Sequence, residues 1–401
     1  MVCESMIKEI SIKTDSKILL LVIDGVGGLP LDGKTELERA EIPNLDNLAS
    51  RSICGLTDAV GYGITPGSGP SHLALFGYDP LKYIIGRGVM EALGIGVELT
   101  PKDMAARGNF ATMDSRGIIV DRRAGRIPTE KNREICALLG KKIEKIKGVK
   151  VFIRPGKEHR FVAIFRGDGL NGPLSDADPQ KNGEKARPAR ALSARAKKAE
   201  EVANSFIKRA SEVLKSEHPA NTVLLRGISK VPRIPSMGEL FNLSPAAIAT
   251  YPMYKGLARL VGMEVLQTGE TIEDELNTLK ENFGKYDFFY LHIKKTDSSG
   301  EDGNWEKKVK AIEEVDRFIP EILALKFDVI VITSDHSTPC LLKSHSWHPN
   351  PFLLHSKFIR IDEAKRFTER ECSRGSLGRF AAVNAMALML ANALKLKKFG
   401  A

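Results

Sequence analysis

The sequence contains few cysteines, and they form no recognisable group. Its 401 residues include only five, and no two of them make a CxxC pair. An odd number of scattered thiols argues against both a disulfide framework and a zinc site built from thiolates. We interpret them as buried or incidental thiols. They are Cys3, Cys54, Cys136, Cys340 and Cys372.

Long apolar runs are also lacking. Hydrophobic residues make up 42% of the chain, but no stretch approaches the roughly 18 consecutive apolar residues of a membrane span. The first 17 residues contain acids and lack the apolar core and cleavage site of a secretory signal. We therefore expect a globular protein of the cytoplasm with no membrane partner. The length predicts two domains, or one large domain that carries an insertion.

Aromatic residues are scarce, at 6% of the chain, and the most basic segment has none. The formal net charge is +10, and Lys181–Lys198 is rich in lysine and arginine with a single acid. Base stacking requires aromatic side chains among the cations, so we expect no nucleic-acid partner. The segment fits either a solvated helix face or loop, or an anion-binding surface.

Three apolar runs end beside carboxylates. Ser16–Asp24, Tyr286–Ile293 and Phe327–Asp335 are each typical of a buried strand in a parallel sheet. Between the last two, Asn304–Leu325 has apolar residues three or four positions apart, which predicts an amphipathic crossover helix. Gly378–Leu396, rich in alanine and leucine, predicts a final helix packed on the sheet.

The middle of the chain differs from its two ends in composition and in its pattern of apolar residues. It contains short alternating segments and many arginines, whereas the predicted parallel strands lie near the two ends of the chain. We therefore predict an α/β fold with a mostly parallel sheet flanked by helices and interrupted by a smaller inserted α/β domain. The predicted core comprises residues 1–103 and 229–401, and the insert comprises residues 104–228.

Histidines and acids concentrate in one part of the chain. Five of the eight histidines fall within 64 residues, together with several carboxylates. A mixed carboxylate and imidazole set suits zinc or manganese better than calcium. Asp335-His336, at a strand end, alone also fits a helix cap beside a core histidine, but Asp24 and Asp297 at other strand ends favour a metal site. The group comprises His292, His336, His345, His348 and His355 with Asp297, Glu301, Asp302 and Asp335.

A rigid turn precedes a short helix in Gly61–Asp79. Its prolines and glycines place Ser68 near the start of a helix predicted over Ser71–Phe76. Free amides at a helix N-terminus favour an anion, and a serine oxygen activated by a metal can attack phosphorus. The alternative is an ordinary turn and cap. The segment is neither a P-loop nor a hydrolase elbow, because no Gly-Lys-Ser/Thr follows and prolines occupy positions 66 and 70.

Together these segments resemble the cofactor-independent phosphoglycerate mutases of the archaeal-type branch, within the alkaline phosphatase superfamily. The resemblance covers nearly the whole chain. It implies an alkaline-phosphatase-like core and metal-dependent interconversion of 3-phosphoglycerate and 2-phosphoglycerate through a phosphoserine, without 2,3-bisphosphoglycerate, in glycolysis or gluconeogenesis. The segments that carry it are LLLVIDGVGGLP, TPGSGPSHLALFGYDP, KTDSSGEDGN, ITSDHSTPC and KSHSWHPNP, with LLRGISKVPRIPS and YKGLARLVGM.

The resemblance also implies roles for individual residues. Ser68 is the expected nucleophile, and two divalent ions are expected, manganese first, with zinc, cobalt or magnesium as alternatives. The ligands implied for one ion are Asp24, Ser68, Asp335 and His336, and those for the other are Asp297, Glu301 and His345. Contacts to the small-molecule phosphoglycerate are implied for Asp121, Arg122, Arg123, Arg126, Arg160, Arg226 and Lys255. Asp121 equally suits orienting an arginine, binding a substrate hydroxyl or capping a turn.

Two segments depart from the family pattern. TDSSGED has Glu301 where the family has histidine, and HSWHPNP replaces the common HSxDPVP, with His348 and Asn350 expected at the pocket edge. These departures leave two alternatives open. One is a metal-dependent phosphatase or phosphonate hydrolase on the same scaffold, and the other is a non-catalytic paralogue with an impaired second metal site. The oligomeric state also stays open, a homo-oligomer included.

Overall fold

The computed structural model describes residues 4–400 and divides the chain into two compact units. One unit contains the residues up to Ile84 and those from Ile234 onward, and the other is Ile85–Arg233. In chain order the strands are β1 (Ile18–Ile23), β2 (Ile53–Asp58), β3 (Asp103–Met113), β4 (Ile118–Asp121), β5 (Lys145–Ile146), β6 (Val149–Pro155), β7 (Arg160–Arg166), β8 (Glu184–Lys185), β9 (Thr222–Lys230), β10 (Pro245–Ala249), β11 (Glu264–Val265), β12 (Phe288–Ile293), β13 (Val329–Thr333), β14 (Asn350–Ser356) and β15 (Gly378–Ala381). The helices are α1 (Glu4–Ile10), α2 (Glu36–Arg39), α3 (Pro43–Ala49), α4 (Ser68–Leu75), α5 (Arg87–Gly94), α6 (Thr129–Lys142), α7 (Lys197–Val213), α8 (Met237–Phe241), α9 (Pro252–Leu260), α10 (Ile272–Asn282), α11 (Lys295–Glu301), α12 (Trp305–Ala324), α13 (Glu369–Cys372) and α14 (Ala385–Asn392).

The first unit contains a largely parallel sheet, as predicted. Its strand order is β11-β10-β12-β1-β13-β14-β2-β15. The strands from β11 to β13 run parallel, β14 is antiparallel to both of its neighbours, and β15 is parallel to β2. The predicted crossover helix is confirmed as α12, which connects β12 to β13 on either side of β1.

The core of this unit explains why its strands read as continuous apolar runs. Every residue of β1 is buried, because the strand lies inside the sheet and helices cover both faces. Leu19 and Leu21 belong to one apolar cluster with Ile312 and Ile319 of α12. The apolar stripe predicted for the crossover helix is therefore the face that packs on the sheet.

The second unit is built differently. Its sheet follows the order β5-β6-β7-β3-β4-β8, with β9 paired to the other side of β3, and every pairing is antiparallel. One face supports a separate core that includes Phe110, Phe161, Phe165 and Phe206. Helices α6 and α7 contribute to that core.

The inserted unit is longer at both ends than the sequence-based boundaries of 104 and 228. It begins before residue 104 and ends after residue 228. The structure places residues 85–103 and 229–233 in it. Helix α5 accounts for the first difference, because Gly88 lies directly on strand β3. A Cβ atom at Gly88 would come within 2.5 Å of the Ala105 carbonyl oxygen. The second difference arises because β9 continues to Lys230 before the chain leaves the sheet.

The predicted C-terminal helix over Gly378–Leu396 is wrong at its start. Gly378–Ala381 forms β15, an edge strand, and the α-helix covers only Ala385–Asn392. Cross-sheet contacts override the helix propensity here. The guanidinium of Arg379 donates two hydrogen bonds of 2.7 Å to Asp58, and Phe380 packs edge-on against Phe352 at 5.1 Å.

The cysteines agree with their interpretation as buried thiols wherever they are described. Cys54, Cys136, Cys340 and Cys372 are buried and free, and Cys3 lies outside the described residues. Between residues 4 and 400, no helix has both the length and the apolar character needed to cross a membrane.

Candidate active site

The ends of two neighbouring parallel strands bring the first group of candidate ligands together. Asp24 follows β1, and Asp335 and His336 follow β13, which pairs with β1. Nε2 of His336 lies 3.0 Å from an Asp335 carboxylate oxygen and 3.4 Å from one of Asp24. One ligand atom from each of these three buried residues lies within 4.8 Å of the others, which suits a single bound ion.

Ser68 lies beside this first cluster. Its Oγ is 3.2 Å from Nε2 of His336, and the residue opens helix α4, three residues earlier than predicted. The N-cap, Gly67, has no side chain with which to cap the first turn. Amides at the start of α4 are therefore available to an anion next to the serine hydroxyl.

A second cluster contains Asp297, His336 and His345. Nε2 of His345 is 3.7 Å from an Asp297 oxygen, and the His345 ring stacks on His336 at 3.5 Å between centroids. The other ring nitrogen of His345 lies 3.1 Å from the Pro66 carbonyl oxygen. Glu301 is exposed at the end of α11, with one carboxylate oxygen 4.0 Å from His345, and it lies outside the cluster.

Unsatisfied buried oxygens show that these residues fit a cation. One oxygen of Asp24 and one of Asp335 are buried and, although His336 Nε2 lies near both, make no well-aligned hydrogen bond. Burial alone raises the pKa of Asp24, but His292 and Lys294 hold it well below 3.8. Although burial alone lowers it, the charge of Asp335 raises the pKa of His336 to about 9. Excess negative charge with oxygen and nitrogen donors suits divalent zinc or manganese.

Around Asp24, Tyr254 and Lys294 were not identified from the sequence as site residues, and His292 was named only as a member of the histidine-rich group. Tyr254 donates a 2.5 Å hydrogen bond to Asp24, and its ring stacks on His292 at 3.7 Å. Nε2 of His292 lies 3.2 Å from the same Asp24 oxygen. Lys294 donates to both Asp24, at 3.0 Å, and Asp297, at 2.5 Å. His292 and Lys294 could have been found from their position at the end of β12, whereas Tyr254 arrives through tertiary packing of α9.

His72 supports Ser68 from one turn further along α4. Its Nδ1 is 2.8 Å from the Ser68 carbonyl oxygen and 3.4 Å from Asp335. Burial lowers the pKa of His72 to about 4. The spacing of four residues on one helix was the available sequence signal, because it places both side chains on one face.

Comparisons with known proteins bear on the family to which the chain belongs. A family model described as 2,3-bisphosphoglycerate-independent phosphoglycerate mutase matches residues 49–221. A probable mutase of that name from Thermotoga neapolitana is 56% identical over 387 residues, covering 96% of each chain. Another from Thermus thermophilus is 55% identical over 400 residues, covering 98% of each chain. The chain belongs to the 2,3-bisphosphoglycerate-independent phosphoglycerate mutase family.

Solved structures support membership of the mutase family. The PH0037 protein from Pyrococcus horikoshii is 31% identical with a TM-score of 0.82, covering 96% of this chain and 99% of that one. The cofactor-independent phosphoglycerate mutase from Thermoplasma acidophilum is 30% identical with a TM-score of 0.75, covering 94% of this chain and 100% of that one. The family resemblance stated from the sequence is thus confirmed.

His348 and Asn350 lie in a segment that departs from the family pattern. Asn350 lies behind the candidate metal ligand Asp335. It is buried, accepts a 3.1 Å hydrogen bond from Ser337 and donates one of 3.2 Å to the Asp335 carbonyl. His348 is only half-buried and stacks on Trp347. The asparagine therefore supports the backbone of a candidate ligand.

The candidate substrate residues of the second unit occupy two settings. Asp121 caps a turn by accepting hydrogen bonds from the amides of Arg123 and Gly125 at 2.8 and 2.6 Å. Arg122 makes a bidentate pair with Asp178 at 2.8 and 2.6 Å. The exposed candidates are Arg123, Arg126 and Arg160.

A cationic face of the antiparallel sheet adds arginines that the sequence did not single out. Arg107 of β3 pairs in register with Arg226 of β9. Burial lowers the pKa of Arg107, the charge of Glu91 at 3.5 Å opposes this, and the charges of Arg160, Arg87 and Arg226 lower it further. Arg226 also donates to Gln180 at 3.3 Å. Lys255, in the first unit, follows Tyr254 on α9.

Proposed function

We propose that this chain interconverts 3-phosphoglycerate and 2-phosphoglycerate without 2,3-bisphosphoglycerate, through a phosphoserine at Ser68. The observation that carries this proposal is the position of Ser68, with its hydroxyl beside the Asp24, Asp335 and His336 cluster and at an uncapped helix N-terminus. The names of the related proteins support the same reaction. We place the activity in the cytoplasm, in glycolysis or gluconeogenesis.

In the proposed reaction, Ser68 Oγ attacks phosphorus, the bond between phosphorus and the 3-oxygen of the substrate breaks, and the serine proton ends on that 3-oxygen, which becomes a hydroxyl of glycerate. Glycerate stays bound and reorients, and its 2-hydroxyl takes the phosphoryl group back from the serine while its proton returns to Ser68 Oγ. The amides at the start of α4 stabilise the phosphoserine anion, and the hydrogen bond between His72 and the Ser68 carbonyl holds that turn in place.

Two divalent ions fit the proposed site, and manganese is the ion we propose, with zinc, cobalt and magnesium as alternatives. Asp24, Ser68, Asp335 and His336 would hold one ion, and Asp297 and His345 the other, with Glu301 near its edge. Such ions lower the pKa of the serine hydroxyl and neutralise charge on the transferred phosphoryl group.

We propose that cationic residues bind the phosphate and carboxylate of the substrate. A guanidinium group binds either anion through two parallel hydrogen bonds, whereas lysine acts as a point charge. Asp178 already orients Arg122, and Asp121 shapes the turn that carries Arg123. The proposed set is Arg122, Arg123, Arg126, Arg160, Arg226 and Lys255.

Phosphorus NMR with 3-phosphoglycerate and Mn²⁺, without 2,3-bisphosphoglycerate, tests this function. We expect 2-phosphoglycerate with little free phosphate. The exposed position of Glu301 favours phosphatase activity as the second candidate, because a weak second site retains glycerate poorly. If free phosphate alone appears, the protein is that phosphatase. If neither 2-phosphoglycerate nor free phosphate appears, the protein is non-catalytic.

Two serine variants identify the nucleophile. Ser68→Ala should abolish turnover and covalent phosphate on the protein. Ser71→Ala is the matched control, because Ser71 lies in the same helix turn but donates its hydroxyl to the Gly67 carbonyl at 3.0 Å. We expect the control to keep its activity. Full turnover in Ser68→Ala would contradict the phosphoserine mechanism.

A further inference from the structure

A fully buried lysine lies behind the two loops that carry the candidate metal ligands. Lys308, in the first turn of α12, has no exposed surface. Its ammonium donates to the Gly27 carbonyl at 3.0 Å and the Thr338 carbonyl at 2.9 Å. A carboxylate oxygen of Glu36 lies 3.7 Å away. The charge is thus matched by one buried acid and two main-chain oxygens.

The two carbonyl groups belong to the ligand loops. Gly27 lies three residues after Asp24, and Thr338 lies two residues after His336. The loops also contact each other directly, because the Thr338 amide donates to the Gly27 carbonyl at 3.1 Å. One ammonium therefore joins the loop after β1 to the loop after β13.

Thr338 extends this connection to the second cluster. Its hydroxyl donates to Asp297 at 2.7 Å and lies 3.0 Å from Nδ1 of His336. A shift of the Thr338 backbone therefore moves a side chain that contacts ligands of both clusters. Groups that orient metal ligands in this way commonly change metal affinity when they are removed.

Glu36 anchors the other side of the lysine. It is fully buried, and one of its oxygens accepts a 2.8 Å hydrogen bond from the Cys340 amide, in the same loop as Thr338. It also packs closely against Gly28, where a Cβ atom would overlap its carboxylate. Lys308 and Glu36 together thus bind the backbone of the loops after β1 and β13.

A buried charge needs a reason, because desolvating an ammonium costs more than packing an apolar side chain of similar size. Positions 312, 315 and 319 of the same helix are apolar and pack into the core. An apolar residue at position 308 would fill the same space without desolvating a charge. It could not donate to the two loop carbonyls.

We infer that Lys308 is a positioning residue of the metal centre, whose ammonium holds the loops after β1 and β13 at the separation that lets Asp24, His336 and Asp297 bind ions. This inference rests on the proposed metal-dependent function. It assigns no contact between Lys308 and substrate or metal.

The test compares two buried lysines by calorimetric titration of the full-length protein with Mn²⁺ and by melting of the metal-free protein. Lys395 is the matched control, because it is fully buried and donates to the Thr14 carbonyl at 2.8 Å and to Asp287 at 3.4 Å. Asp287 precedes β12, so this lysine lies at the opposite edge of the same sheet. Lys308→Met and Lys395→Met should both lower the Tm.

Only Lys308→Met should weaken Mn²⁺ binding, by about tenfold or more. The double variant Lys308→Met with Glu36→Gln removes the unpaired acid while keeping an acceptor for the Cys340 amide. It should regain thermal stability without regaining metal affinity, and it replaces the single variant if that one does not fold.

Unchanged affinity in Lys308→Met, equal losses in both lysine variants, or recovery of affinity in the double variant would each overturn the inference. Failure of the wild-type protein to bind Mn²⁺ contradicts the proposed function instead. The two failures are therefore distinguishable.

Discussion

The two sheets bring candidate functional side chains together in different ways. In the first unit, parallel strands β1 and β13 end at the same edge, so Asp24 and Asp335 meet there. In the second unit, neighbouring strands run in opposite directions, and Arg107 meets Arg226 through register on one face of the sheet. A parallel sheet thus collects residues by strand end, whereas an antiparallel sheet collects them by pairing. Only the first kind of grouping can be inferred without knowing the register.

The strongest way to break this comparison is to neutralise one carboxylate at the parallel edge. Asp335→Asn keeps the shape of the side chain but removes the charge that faces His336 and that would bind the proposed first ion. Because even indirect partners of metal ligands cost about 10- to 100-fold when removed, we expect at least about a 100-fold loss of turnover.

The control lies at the opposite end of the same strand. Asp328→Asn changes a residue whose carboxylate accepts a 2.7 Å hydrogen bond from the Lys17 amide. Steady-state assays should show nearly normal turnover in this control. Comparable losses in both variants would mean that the carboxyl edge is not the reactive edge.

A smaller effect is expected on the antiparallel face. Arg226→Lys keeps a positive charge but loses the planar, bidentate donor geometry. We expect KM for 3-phosphoglycerate to rise about tenfold, roughly the value of one charge-assisted hydrogen bond, while Mn²⁺ affinity is unchanged. Arg116→Lys, at an exposed arginine paired with Asp114, is the control. A loss of metal binding in Arg226→Lys would contradict the separation of roles between the two sheets.

Glu301→His introduces the residue that the sequence resemblance implies at this position. An imidazole there adds a nitrogen donor near His345, from which Glu301 is now 4.0 Å away. We expect the second equivalent of Mn²⁺ to bind about tenfold more tightly, and the ratio of 2-phosphoglycerate to free phosphate to rise. Weaker binding in calorimetric titration would show that the glutamate itself is a ligand.

The smallest effect on activity is expected at Glu275, which is buried in the first unit on α10. Burial raises its pKa to about 8, against the opposing charge of Lys255. The unfolded chain releases this proton near pH 4.5, so stability falls as pH rises from about 4.5 to 8. Glu275→Gln should remove this loss and raise the free energy of unfolding at pH 8 by about 4 kcal/mol, with little change at pH 4.

Thermal melts at both pH values check this result. A Glu275→Gln protein that is less stable than wild type at pH 8 would show that the ionised carboxylate is stabilised by Lys255.

Much of the first unit could be predicted because short segments of its sequence are enough to identify its strands and its crossover helix. Apolar runs that end in aspartate identify the strand ends of Asp24 and Asp335, and periodicity identifies α12. Ser68 and its neighbours were accessible through helix-start chemistry. Tyr254 was not, because nothing in its own segment shows that α9 will bring it to Asp24.

The remaining differences between the sequence-based predictions and the structure also arise from tertiary contacts. Residues 85–103 join the inserted unit because α5 packs on β3, and Gly378–Ala381 becomes a strand because β2 offers a free edge. The sequence resemblance implied that Glu301 is a ligand, yet its side chain is exposed outside the second cluster. A motif fixes the position of a residue in the sequence but not the direction of its side chain.

His336 belongs to both candidate clusters, and this has a thermodynamic consequence. Its Nε2 faces Ser68 and Asp335, while its Nδ1 is turned toward Thr338 and Asp297. An ion that fixes this rigid ring for one cluster fixes it for the other. Such coupling is reciprocal, so each ion must change the affinity for its neighbour by the same factor. The centre should therefore load cooperatively, and a metal titration should depart from two independent isotherms.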